Sequence, residues 1–177
     1  MAIFRTNKIA EESLSGFRTQ SGQTLGELLA GQPVLLVFLR HFGCTFCREA
    51  VEDISKKRAI IEAAGTRLAF VHLGTEEQAN SFFTSYGLED TPRFADPDGQ
   101  LYESFGLVRA DLRQYLNQES ILRMLVAWLH GHFVGLPAGD IQRMPGAFLV
   151  KDGEIRKAFR HKLVSDRPDY LALAAAT

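Results

Sequence analysis

The chain predicts an α/β fold, a central mixed β-sheet flanked by helices, and three observations predict it. Two apolar runs, Val34 to Leu39 and Leu68 to Leu73, are each followed by a stretch of helical periodicity. Asp152-Gly153 separates two further strand-like runs and is a strong hairpin signal. Cys44 and Cys47, the only two cysteines, stand three positions apart where the first apolar run passes into its helix. A length of 177 residues fits one domain, and 46% hydrophobic against 23% charged content supplies a core rather than a disordered chain.

Residues 1–16 are polar and mixed and read as an N-terminal arm, with residues 17–177 as a single domain. Gln20-Ser21-Gly22-Gln23 has turn chemistry, and Thr24 is placed to cap a short helix from Leu25 to Ala30 that Gly31 ends. The first core strand is Val34 to Leu39. The helix after the cysteines is expected from Arg48 to about Ala64, with Cys47, Val51, Ile54 and Ile61 on one stripe and Arg58 as the exception. Lys56-Lys57-Arg58 reads as a solvated face of that helix. Leu68 to Leu73 is the second buried strand. Thr75 to Gln78 forms a capping-box pattern, and the helix it opens runs to about Tyr86 and stops at Gly87.

Arg93-Phe94-Ala95 is a short strand before the Asp96-Pro97-Asp98-Gly99 turn. Residues 101–131 have helical spacing of Leu112, Tyr115, Leu116, Leu122, Leu125, Val126 and Leu129, interrupted by Asn117 to Ser120, and Gly131 to Gly139 reads as loop. Trp128 fits the core side of that pattern. Ala147 to Val150 and Ile155 to Arg160 form the hairpin, and a last helix begins near Pro168-Asp169. Two strand–helix units give a parallel pair through a right-handed crossover, and the hairpin extends the sheet antiparallel. This arrangement is thioredoxin-like, with the cysteines at the C-terminal end of the first core strand.

A Cys-x-x-Cys at such a junction puts sulfur beside the free N–H groups of a helix start, where a thiolate is favoured over a thiol. The thiolate is the nucleophile in disulfide exchange and in attack on a peroxide. Cys44 opens the helix and is expected to be the more exposed sulfur; Cys47, on the apolar stripe, the better buried. Arg40, His41 and Arg48 flank the pair with positive potential. A structural zinc site would need His41, His130, His132 or His161 to complete its ligands, and no second ligand pair has the required spacing. His130 and His132 fit a helix end or the surface better. Pro145, just before the Ala147 strand, is expected to lie beside the sulfurs behind a cis Met144–Pro145 bond that frees the Met144 backbone for an extended partner.

Other classes fit poorly. A formal net charge of −1, from 20 basic and 21 acidic residues, with no basic tail, argues against nucleic acid. No apolar run is long enough for a membrane span, the N-terminus lacks a signal peptide's apolar stretch, and two cysteines are too few for a secreted disulfide framework. Gly135-Leu136-Pro137-Ala138-Gly139 does not have phosphate-loop spacing. A cytoplasmic, cofactor-independent redox protein is expected.

The stretch Val37 to Ala50, containing Arg40-His41-Phe42-Gly43-Cys44-Thr45-Phe46-Cys47, resembles the peroxiredoxin-like branch of the thioredoxin superfamily. More narrowly, the chain is similar to alkyl hydroperoxide reductase/thiol-specific antioxidant relatives that include selenoprotein-L-type redox proteins. The resemblance continues through Phe94 to Tyr102, Phe105-Gly106-Leu107, Gly139 to Val150 and Asp166 to Tyr170, and implies a thioredoxin-like fold with peroxiredoxin-like insertions. Peroxiredoxins carry the pattern P-x-x-x-T-x-x-C. With Cys47 in the peroxidatic place, Arg40 stands where the proline belongs and Cys44 where the threonine belongs. The family's later arginine falls at about Pro145, which leaves Arg40 or Arg143 to substitute.

The resemblance implies an antioxidant oxidoreductase with Cys44, Cys47, Pro145 and Arg40 as candidate catalytic residues. Three functions stay open: a thiol–disulfide oxidoreductase in which Cys44 attacks and Cys47 resolves, a thiol peroxidase with Cys47 peroxidatic, and a non-enzymatic redox-sensing or interaction protein. The partners expected are a cellular dithiol reductant of thioredoxin or glutathione type and a disulfide or hydroperoxide substrate. No nucleic acid and no membrane are expected, and a homodimer stays open.

Overall fold

The computed structural model describes residues 7–107, 143–163 and 165–175. The elements in chain order are α1 (Glu11–Gly16), α2 (Leu25–Leu29), β1 (Val34–Phe38), α3 (Thr45–Ala63), β2 (Arg67–His72), α4 (Glu76–Thr84), β3 (Arg93–Ala95), α5 (Gln100–Ser104), β4 (Gly146–Lys151), β5 (Glu154–Arg160) and α6 (Tyr170–Ala174). The helices expected between residues 108 and 131, with Trp128, His130, His132 and the Gly131 to Gly139 loop, lie outside the described residues.

The strands form one sheet in the order β3-β2-β1-β4-β5. β1 pairs parallel with β2 and antiparallel with β4, and β4 and β5 are antiparallel. This is the expected mixed sheet, with β1 at its centre. Alternation along β1 divides the core between the two faces, as a central strand buried on both sides requires. Leu35, Val37 and Leu39 pack with Cys47, Val51 and Ile54 of α3 and with Tyr170 of α6. Val34, Leu36 and Phe38 pack on the other face with Leu25, Leu28, Leu101, Tyr102 and Phe148.

Local chemistry accounts for the boundaries. Thr24 and Thr75 each accept from the backbone N–H three residues on, and the Glu27 and Gln78 side chains return the bond, so α2 and α4 both start with a complete capping box. Asp152 (φ 51°) and Gly153 (φ 73°) both adopt the left-handed region that a two-residue hairpin turn needs. Asp169 caps α6 by accepting from Leu171 and Ala172. The basic run on α3 is tied to its own helix by Lys56–Glu52 (2.6 Å), Lys57–Asp53 (2.9 Å) and Arg58–Glu62 (2.8 Å), while Arg58 also pairs with Asp90. That is how a charged residue sits on an otherwise apolar stripe.

The segment before β1 lies along both outer strands. Asn7 and Ile9 exchange backbone hydrogen bonds with Ile155 and Gly153, bringing Lys8 opposite Glu154 at the start of β5. Thr19 bridges to Phe94 of β3, and the Gln20 side chain bonds the backbone of Arg93 and Thr91.

Candidate active site

β1 ends at Phe38, and the chain then turns through Leu39 to Gly43 before α3. Leu39 N–H donates to Val71 O, so the strand-end peptide stays tied to β2. Cys44 N–H donates to His41 O, and Cys44, with extended backbone (φ −76°, ψ 119°), is the N-cap of α3. The helix therefore starts three residues earlier than its sequence pattern indicates, because Thr45 to Cys47 already have helical geometry.

Both sulfurs are reduced and both are buried: Cys44 is 5% exposed and Cys47 4%. Cys44 is thus as buried as Cys47, and not the clearly more exposed sulfur that its position at the helix opening led us to expect. The loop before it folds inward. Phe42 stacks against Phe82 (4.7 Å between centroids) and His72 (5.3 Å), and Arg48 Nε donates to Phe42 O, pinning the loop to the first turn of α3.

Burial does not make the sulfurs equivalent. The Cys44 thiol is held down to about 6, first by the hydrogen bond from Cys47, against an opposing cost of burial, and then by the Arg40 charge. The Arg40 guanidinium donates to Cys44 Sγ at 3.5 Å. The N–H groups of Cys47 and Phe46 at the helix start add to this, although neither closes a capping hydrogen bond. The Cys47 thiol is pushed well up, by donating to Cys44, by burial and by the Cys44 charge. The backbone N–H of Arg40 donates to Cys47 Sγ at 3.3 Å and works in the opposite direction. Arg40 therefore reaches one sulfur with its side chain and the other with its backbone. One thiolate shared within the pair, residing on Cys44, is the protonation state these contacts favour.

Pro145 is brought to the site, as expected. It lines a small cavity of ≈ 20 Å³, room for about one water, together with Phe46, Cys47, His161, Asp166 and Tyr170. The Met144–Pro145 bond, however, is trans, contrary to the cis expectation. Trans is the default for X–Pro, and here Pro145 simply precedes a regular ladder: its carbonyl accepts from His161 N–H and Gly146 pairs with Arg160. A free Met144 backbone presented by a cis bond is not part of this site. Arg143 is drawn to another task, pairing with Glu103 at 2.7 Å and packing over Gly99, where a Cβ would stand 2.7 Å from the guanidinium. Arg40 is the arginine with a described contact to sulfur.

Several contributors were not among the candidate catalytic residues, although His161 was weighed as a metal ligand and the others lie in segments that carry the resemblance. His161, Asp166 and Tyr170 join the Cys47 cavity from the far end of the chain. His161 is held down to about 4, chiefly by burial, and His41 likewise, by burial and then by Arg40. Tyr102 of α5 donates its hydroxyl to Leu39 O, directly behind the cysteine loop, and also lies 3.1 Å from Val71 O. Its helix is fixed by Asp96, whose carboxylate accepts from the N–H groups of Gln100, Leu101 and Tyr102. The Ala95-Asp96-Pro97 turn was the only available signal for that support.

Comparison with known proteins identifies the family and supports the fold. The model of the AhpC/TSA family matches residues 12–158. A prostamide/prostaglandin F synthase of Salmo salar is 31% identical, across 88% of this chain and 79% of that protein. A chloroplastic thioredoxin-like protein AAED1 of Arabidopsis thaliana is 24% identical across 61% of this chain; the match spans 43% of that longer protein. Among solved structures, reduced Prx3 of Vibrio vulnificus superposes with a TM-score of 0.67 at 16% identity, covering 98% of both chains, and so shares the fold. The chain belongs to the AhpC/TSA family and is a peroxiredoxin-like, thiol-dependent oxidoreductase of the thioredoxin superfamily.

Proposed function

We propose that this protein is a thiol–disulfide oxidoreductase in which Cys44 attacks and Cys47 resolves. The observation that carries the reading is the asymmetry of the buried pair: the Cys44 sulfur takes the Arg40 guanidinium and is held down, while Cys47 is pushed up. The Cys44 thiolate attacks one sulfur of a substrate disulfide, forming a mixed disulfide and releasing the other sulfur as a thiolate. Loss of the negative charge from Cys44 removes a cause of the raised Cys47 value, so Cys47 becomes easier to ionise once it is needed. The Cys47 thiolate then attacks Cys44 Sγ, expels the bound thiolate and leaves a Cys44–Cys47 disulfide. A cellular dithiol returns the pair to its reduced form, taking the disulfide itself. At 5% exposure Cys44 is reached readily only by a small disulfide; a protein disulfide requires the 40–43 loop to move aside.

A second reading has its own support. The ≈ 20 Å³ cavity opens onto Cys47 and admits nothing much larger than water or hydrogen peroxide. A peroxidase would use Cys47 to attack one oxygen of hydrogen peroxide, giving a sulfenic acid and releasing water; Cys44 would then displace a second water to form the same disulfide. The family supports both chemistries, and the Salmo salar relative is named for a prostaglandin-forming one.

The test is trapping with Cys44→Ser and Cys47→Ser separately, using glutathione disulfide and hydrogen peroxide, read by mass spectrometry. The proposal expects a glutathione adduct on Cys44 to persist in Cys47→Ser and none to accumulate on Cys47 in Cys44→Ser. The opposite pattern overturns it, and a sulfenic acid formed faster on Cys47 than the glutathione adduct on Cys44 establishes the peroxidase instead.

A further inference from the structure

One peptide unit behind the cysteines is held at both ends. The carbonyl of Leu39 accepts from the buried Tyr102 hydroxyl, and the N–H of the next residue, Arg40, donates to Cys47 Sγ at 3.3 Å. The C=O and N–H of this unit belong to one amide, so a donor on its oxygen draws electron density from nitrogen and makes the N–H a stronger donor. Tyr102 has a single hydroxyl proton, and Leu39 O is the nearer of its two carbonyl neighbours. Its ring is locked edge-on to Phe38 (81° between planes, 5.0 Å between centroids), and it is fully buried. Asp96 bonds the Tyr102 backbone N–H, so the side chain approaches the amide from a fixed helix start.

We propose that Tyr102 is a positioning residue for Cys47: its hydroxyl orients and polarises the Leu39–Arg40 peptide unit so that the Arg40 N–H is held on the Cys47 sulfur. This rests on the proposed resolving role of Cys47 for its consequence in turnover, but the hydrogen-bond chain exists whichever sulfur attacks. The N–H favours negative charge on Cys47 at the moment when Cys47 must act as a nucleophile. Tyr102 thus works on the sulfur 55 positions earlier in the chain without touching it.

The experiment measures thiol ionisation through the pH dependence of iodoacetamide alkylation of each single-cysteine protein, a readout that tyrosine ionisation does not enter. In a Cys44→Ser background, Tyr102→Phe is expected to raise the Cys47 value and lower the thiolate population at a given alkaline pH about two- to fourfold. In a Cys47→Ser background the same substitution leaves the Cys44 titration in place. Thermal unfolding of each variant is recorded alongside. A lowered melting temperature with an unmoved Cys47 titration overturns the proposal and leaves Tyr102 a packing residue. Equal displacement of both sulfurs also overturns it, since that is general loosening of the site. If Tyr102→Phe does not fold, 3-fluorotyrosine at position 102 serves: its stronger donor is expected to lower the Cys47 value, and no change refutes the relay. Failure of the Cys44-first order in trapping leaves these titrations unaffected, so the two ideas fail separately.

Discussion

Replacing Arg40 by Gln removes the one cation with a described contact to the Cys44 sulfur, at 3.5 Å, and leaves the Cys47 hydrogen bond to that sulfur in place. A hydrogen bond to a charged group contributes about 1.5–3 kcal/mol, and each pKa unit is about 1.4 kcal/mol, so the Cys44 thiol should rise by about 1–2 units. It starts at about 6, which puts the variant at about 7–8. At pH 7 the ionised fraction then falls from roughly nine-tenths to between a half and a tenth. The remaining thiolate is more nucleophilic, by about three- to eightfold for a Brønsted coefficient near 0.45. The two effects nearly cancel, so the attack rate at pH 7 should change by less than about twofold. At pH 6 the variant should be about two- to sixfold slower, and at pH 9 about three- to sevenfold faster. Stopped-flow measurement of single-turnover reaction with glutathione disulfide from pH 5.5 to 9 reads this as two curves that cross. An Arg40→Gln curve lying below the wild type at every pH would refute the argument, because it reports damage to the loop rather than loss of a charge.

Two further outcomes follow from the buried histidine and the crowded loop. His161 is held at about 4 by burial while the unfolded chain titrates near 6.5, so on acidification the unfolded state binds this proton first and stability present at pH 7 is lost between about 6.5 and 4. Between pH 7 and 5 this group should cost about 1–2 kcal/mol, and urea unfolding should show His161→Gln losing less by that amount, with the His41 contribution remaining; an equal loss in both proteins contradicts it. Gly74→Ala would place a methyl 2.6 Å from the Phe42 ring, so overpacking should destabilise the protein by about 1–3 kcal/mol and free the loop over Cys44. Faster alkylation of Cys44 at lowered melting temperature is the expected result, and unchanged alkylation says that Phe42 does not control access.

What was legible in the sequence was local. The Thr24 cap, the Thr75–Gln78 capping box, the Asp152-Gly153 turn and the Cys47-Val51-Ile54 stripe are each written within a few consecutive residues, and each forms as read, with Glu27 completing a box at Thr24 that was not read. β1 could be read as a buried strand because its run is apolar at every position. Contacts made across the fold were not legible. Cys44 is buried because Phe42 packs on residues 40 positions later in α4, and nothing beside Cys44 in sequence announces that. Tyr102 meets Leu39 across 63 residues. The Met144–Pro145 bond is in the state that is the default for any X–Pro bond; the cis expectation came from the position inferred in the fold, and no neighbouring residue encodes it. The side chain of Arg40 was read as a flanking charge, which it is, but its backbone bond to Cys47 requires the turn at the end of β1 to be known.

The segment from Asn7 to Gln20 has a consequence for association. An open sheet has two outer strands, each a template for another chain. In this protein both are engaged by the same short stretch: residues 7–9 occupy the beginning of β5, and Thr19 and Gln20 occupy β3. The rest of β5 carries Arg156, Lys157 and Arg160, and two strands abutting there would bring like charges together. Detaching the segment would unmask both ends of the sheet at once, and a five-stranded sheet with two free ends can grow in either direction. Residues that take no part in the sulfur chemistry thereby cover backbone edges that another chain could otherwise pair with.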